Sequence, residues 1–101
     1  MATPGTFPVD ELTAATDRLA AVAREFLSDR SVSAELAMSA HCAAFRAMNA
    51  AAWPPERALG YAKRVTAVQC RALGRSARIE DRRQWLAHKV VSWLTASYFG
   101  F

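Results

Sequence analysis

Trp53-Pro54-Pro55-Glu56-Arg57 is the stretch on which the fold turns. Proline has no N–H for an interior helical turn, and its ring pushes the preceding residue out of the helical region, so Pro54-Pro55 ends whatever helix comes before it. The same ring is tolerated in the first turn of a new helix, where a carboxylate such as Glu56 is favoured by the positive end of the helix dipole. The pentapeptide predicts one helix ending near Ala52 and another starting at Pro55.

Similar punctuation recurs on both sides. Downstream, Ala58, Tyr61, Val65, Val68 and Ala72 repeat at helical spacing as an inward stripe, then Gly74 reads as a helix end and Ser76 as the N-cap of the next helix. Ile79, Leu86, Val90, Trp93 and Leu94 form the stripe of that last helix. Upstream, Ser33 caps a helix whose only charges are Glu35 and Arg46. Met38, His41, Phe45 and Met48 make one apolar face of it, with Leu36, Ala43 and Ala47 opposite, so it is expected to be covered on two sides. His41 reads as a buried histidine with one hydrogen-bond partner. The first helix runs from Pro8 with Leu12, Ala15, Leu19, Val22, Ala23 and Phe26 inward, and Val9 and Leu27 at the edge of the stripe.

The chain contains no β-branched run of period two and no Asn-Gly or Asp-Gly pair, so strands are not expected. The expected fold is all-α, an up-and-down four-helix bundle with helices at about 8–27, 33–52, 55–73 and 77–99. A three-helix core with the first helix packed outside is the variant. Residues 1–101 form a single helical domain in this reading, with 1–7 a flexible N-terminal arm.

The chain of 101 residues is 52% hydrophobic and 22% charged, which places it with folded proteins. Much of the apolar fraction is alanine, a strong helix former that buries little area, so the core must rest on few large side chains. A second copy could add burial through the small-residue face of Leu36, Ala43 and Ala47. Met1 to Pro8 has neither the basic nor the apolar region of a secretory signal, and the apolar stretch Leu36 to Trp53 is broken by His41, Arg46 and Asn49. These features point to a cytoplasmic protein in which Cys42 and Cys70 stay reduced.

Charge is divided along the chain. Residues 1–56 hold four arginines against seven carboxylates, a net of −3, whereas residues 57–101 hold nine basic residues against Glu80 and Asp81, a net of +7. Arg57, Arg64 and Arg71 recur every seven residues and so line one flank of the third helix about 10 Å apart. Arg82 and Lys89 flank Trp85, which lies off the apolar stripe of the fourth helix and either covers a neighbouring helix or anchors a partner.

Catalytic and cofactor chemistry find no support in the sequence. The two cysteines and two histidines form no C-x-x-C, H-x-x-x-H or H-E-x-x-H spacing, and adjacent His41 and Cys42 diverge by about 100° on a helix, so no metal site is expected. No glycine-rich loop opens a helix to cradle phosphate. Both cysteines lie in apolar helical surroundings with no local feature that marks an activated thiolate, and no carboxylate pair stands on an apolar face. The expectation is a non-enzymatic, cofactor-free helical interaction module, regulatory in character. It binds an acidic protein partner through Arg57, Arg64, Arg71, Arg82, Trp85 and Lys89. Nucleic-acid binding by the same basic surface is the alternative, and membrane attachment is disfavoured.

Trp53-Pro54-Pro55-Glu56-Arg57, with Lys63, Val90-Val91-Ser92-Trp93 and Tyr98-Phe99, resembles a class of small, uncharacterised all-helical bacterial proteins with a Pro-Glu helix start and an aromatic end to the closing helix. That resemblance implies a bacterial, cytoplasmic helical protein and no activity or site residue.

Overall fold

Proline, glycine and serine divide the chain where the sequence predicts. A computed structural model describes residues 8–29 and 31–100, with side chains from residue 11, and consists of α1 (Pro8–Ser28), α2 (Ala34–Ala50), α3 (Pro55–Leu73) and α4 (Ala77–Phe99). The expected N-terminal arm, residues 1–7, lies outside the described residues. Ser33 and Ser76 cap α2 and α4 through their hydroxyls, which accept the N–H groups of Leu36 and Ile79 at 3.1 and 3.2 Å. Gly74, at φ 86°, closes α3.

The end of α2 differs from expectation by two residues. Ala51 and Ala52 leave the helix, the Ala52 N–H donates to the Asn49 carbonyl at 3.0 Å and the Trp53 N–H reaches back to Met48 at 2.9 Å. These two bonds make a Schellman turn, which needs a left-handed residue at its centre. Ala52 supplies it at φ 64°, a position that glycine adopts without steric cost. Ala52→Gly is expected to stabilise the protein by about 1 kcal/mol, read by urea denaturation; a loss of stability would refute the strain at this residue.

The helices pack as a four-helix bundle about two helix diameters thick, with overall extents of 51 × 31 × 21 Å. Around the bundle they follow the order α1, α2, α4, α3, so α2 and α3 face each other across a diagonal and touch least. Phe45, Leu19, Leu27, Met48 and Leu86 are the large apolar side chains that are fully buried. The stripe of α4 is as expected: Ile79, Leu86, Val90, Trp93 and Leu94 are all buried.

Two stripes are rotated from their expected positions. In α3 only Ala58 and Ala62 are fully buried, Tyr61 and Val65 are half-buried, and Val68 and Ala72 face solvent. The buried side of α3 is turned toward Ala62 and Thr66 because α1 and α4, not α2, lie beside it. In α2 the stripe is filled by Ala37, Ala40, His41, Ala44, Phe45 and Met48, while Met38 is 41% exposed. Small side chains dominate this seam and permit close approach of the helices.

The aromatic end of α4 folds back on the bundle. The Tyr98 hydroxyl donates to the Trp53 carbonyl at 2.9 Å, tying the last turn of α4 to the α2–α3 corner, while Phe99 is exposed beside Tyr98.

Candidate basic surface and interhelical cavity

The six residues expected to meet a partner separate into two groups. Arg57, Arg64 and Arg71 are exposed along one flank of α3. Arg57 is stacked on its own chain, with its guanidinium carbon 3.9 Å from the centre of the Trp53 ring. Arg64 lies close along the helix over Gly60. Arg71 turns toward the corner where α3 gives way to α4.

Arg82, Trp85 and Lys89 instead form a seam between α4 and α1. The Arg82 guanidinium lies 4.3 Å from the Phe26 ring centre and donates to the Phe26 carbonyl at 3.0 Å and the Val32 carbonyl at 3.4 Å. Trp85 is half-buried between Phe26 and Trp93, at centroid distances of 5.5 and 5.8 Å, and the Lys89 ammonium lies 5.8 Å from the Trp85 ring centre. The last turn of α1 carries no basic residue of its own, and its end carbonyls have no intrahelical donors. Arg82 and Arg78, which donates to Ser28 at 3.4 Å, bring positive charge to that negative dipole end.

Near this junction Ser31 donates its N–H and hydroxyl to Asp29 Oδ1 at 2.9 and 2.7 Å, and these bonds hold the Asp29 carboxyl below its ordinary range.

Leu36, Ala43 and Ala47, the expected self-association face, are each half-buried within the chain. They leave only a partly open strip for a second copy.

Phe26, Val32, Arg82 and Trp85 line an open hollow of about 510 Å³ at the seam between α4 and α1, and two further concave features lie along α4. The first is a groove of about 1010 Å³ at the α3–α4 corner, lined by Arg71, Arg75 and Arg83, with Glu80 the single acid among its lining residues. Ala67, Cys70 and Ile79 give it apolar walls. Glu80 is bound by Arg83, which donates from Nε to Oε2 at 3.0 Å and from a terminal nitrogen to Oε1; this pairing lowers the Glu80 pKa. Burial pushes the Cys70 thiol up, so it is not an activated nucleophile, and Cys42 and Cys70 are both free.

The second is a partly open cavity of about 280 Å³ between α2, α3 and α4, into which Lys63, Thr66 and Arg83 contribute polar groups beside His41. His41 is 1% exposed and stands in an aromatic setting, 5.1 Å from Trp93 and 6.2 Å from Phe45 between ring centres. Its Nδ1 lies 2.8 Å from the Ala37 carbonyl, so the proton on Nδ1 is donated one helical turn back.

Desolvation lowers the His41 pKa from its ordinary 6.5, opposed in part by the bond to Ala37. Below pH 6.5 the unfolded chain takes up a proton that the folded chain resists, so stability falls with pH through this window and levels off once folded His41 is protonated. Urea denaturation between pH 7 and pH 5 should show that fall, and it should be smaller in His41→Leu; equal slopes would refute it.

Among the described residues no helix is long and apolar enough to cross a membrane, and no group of three His, Cys, Asp or Glu is placed to hold a metal ion. The sequence did not single out Arg75 or Arg78 as a site, because their importance depends on which helix lies opposite. Comparison with family models, curated proteins and solved structures yields no match, so the surface is read from its own chemistry.

Proposed function

We propose that this chain is a non-catalytic interaction module, regulatory and cytoplasmic in character, that takes an acidic segment of a partner protein into the α3–α4 corner groove. The observation that carries the reading is the lining of that groove. Arg71, Arg75 and Arg83 line it with one carboxylate, Glu80, which Arg83 pairs, and apolar residues between them, a combination suited to carboxylate side chains interleaved with aliphatic ones. Exposed Val68 extends the apolar area on the same half of α3. Of the six residues expected from the sequence this reading keeps Arg71, adds Arg75 and Arg83, and leaves out Arg57, Arg64, Arg82, Trp85 and Lys89.

Nucleic acid is less well served by this arrangement. Single strands are held by aromatic side chains on which bases stack, and no aromatic residue lines the groove. Trp53, Trp85 and Trp93 are all packed within the chain.

The test is fluorescence anisotropy of a labelled acidic peptide built from Asp and Leu. Replacing Arg71, Arg75 and Arg83 together by Gln should weaken binding about tenfold or more at low ionic strength. Full retention of binding by the folded triple variant would defeat the assignment. So would a wild-type protein that ignores the peptide but shifts mixed-sequence RNA or DNA on a gel.

A further inference from the structure

The interhelical cavity is separate from the corner groove in every lining residue but Ala67 and Arg83. Its walls are Ala62, Ala67, Leu86, Ala87 and Val90, all apolar, and its volume of about 280 Å³ lies near the small end of the range for ligand sites. The polar groups at its edge are chemically distinct from one another.

His41 is the informative one. With Nδ1 committed to Ala37, Nε2 of the neutral ring is an acceptor, and it has no hydrogen-bond partner among the described residues. The fully buried side-chain polar atom left without a partner among those residues is Ser97 Oγ, so Nε2 is not sealed from the accessible space beside it. A histidine that is 1% exposed thus presents an acceptor to a cavity. Thr66 cannot satisfy it with its own proton, which is donated to the Ala62 carbonyl at 3.2 Å. Arg83 is held by Glu80, whereas the exposed Lys63 brings a positive charge to the edge of the same space.

An acceptor inside, a cation at the edge and apolar walls between them are complementary to one kind of molecule. We infer that the cavity between α2, α3 and α4 binds a small carboxylic acid with an apolar body and a hydroxyl or N–H group. The carboxylate lies toward Lys63, the apolar body against Leu86 and Val90, and the hydroxyl or N–H donates to His41 Nε2. Arg83 stands on the wall shared with the corner groove, so the test uses residues that belong to the cavity alone.

Binding of 2-, 3- and 4-hydroxybenzoate and of 6-hydroxyhexanoate to the intact chain is followed by NMR, these probes spanning rigid and flexible separations of the two polar ends. At least one of them should perturb amides of α2, α3 and α4 around the cavity and shift the His41 Nε2 resonance. Benzoate, which lacks the hydroxyl, should bind about three- to tenfold more weakly than the best hydroxybenzoate. Lys63→Gln should weaken the best probe about tenfold, and Ala87→Phe, which fills the space from an exposed position without removing a core side chain, should abolish binding.

Failure of all four probes at millimolar concentration would overturn the proposal. Undiminished binding to Ala87→Phe would do the same. Perturbations confined to Arg71, Arg75 and the start of α4 would also overturn it, placing the acid in the corner groove, and would leave the acidic-partner reading standing. Conversely, a probe bound at His41 in a protein that ignores the acidic peptide would separate the two sites.

Discussion

Phe45→Ala is expected to lower the stability of the protein by about 3–5 kcal/mol, toward the upper end of that range. Phe45 is fully buried in α2, and the other apolar residues buried on that helix are Ala37, Ala40, Ala44 and Met48. Alanine has no rotamers with which to refill a void, so the cavity left by the ring would persist except where Met48 swings into it. The composition leads to the same result. A core assembled from small residues concentrates its hydrophobic free energy in a few large ones, and Phe45 is the bulkiest side chain fully buried here. Domains of this size have roughly 5–15 kcal/mol in hand, so the variant should unfold at much lower urea, if it folds at all. Val91→Ala, at a 48% exposed site on α4, should change stability by less than about 0.5 kcal/mol. A Phe45→Ala loss below about 1.5 kcal/mol would show that the seam collapses around the missing ring.

The helix boundaries were legible because they are written in residues with local physical consequences. Pro54-Pro55 cannot continue a helix, Ser33 and Ser76 satisfy N-terminal amides, and Gly74 adopts positive φ. The α2 boundary was misread by two residues because Ala52 takes the left-handed turn position that glycine would have announced. The α4 stripe was legible as well, being made of large residues at regular spacing.

The rotation of α3 was not legible. A stripe drawn from hydrophobicity alone weights Val68 and Tyr61, but burial is decided by which helices stand alongside, and α1 and α4 together select the side carrying Ala62 and Thr66. The same limitation governs the site. Arg82 and Trp85 look like an exposed basic-aromatic surface on α4 considered alone, yet their partners, Phe26 and Val32, lie more than fifty and about fifty residues earlier in the chain. One signal was available. The last turn of α1 lacks any basic residue, so a cation from elsewhere was needed at its carbonyls.

That requirement leads to the second large effect. Arg82→Met should cost about 2–3 kcal/mol, because it keeps the aliphatic stem but removes the donors to Phe26 and Val32 and the cation over the Phe26 ring. The Phe26 carbonyl is one of the last four of α1, which have no donor within the helix, and the half-buried position limits rescue by water. Arg82→Lys should recover only part of the loss, since an ammonium keeps the charge near the helix end but lacks the planar fork that reaches two carbonyls. Both variants should bind the acidic peptide with unchanged affinity once folded, in contrast to the triple change at Arg71, Arg75 and Arg83. The opposite pattern, full stability with weakened peptide binding in Arg82→Met, would return Arg82 to the partner surface that the sequence suggested. The comparison therefore separates two uses of positive charge in this chain. On the α4 side facing α1 it closes the end of a helix, and at the α3–α4 corner it is left exposed around an apolar groove, where a carboxylate from another molecule can reach it.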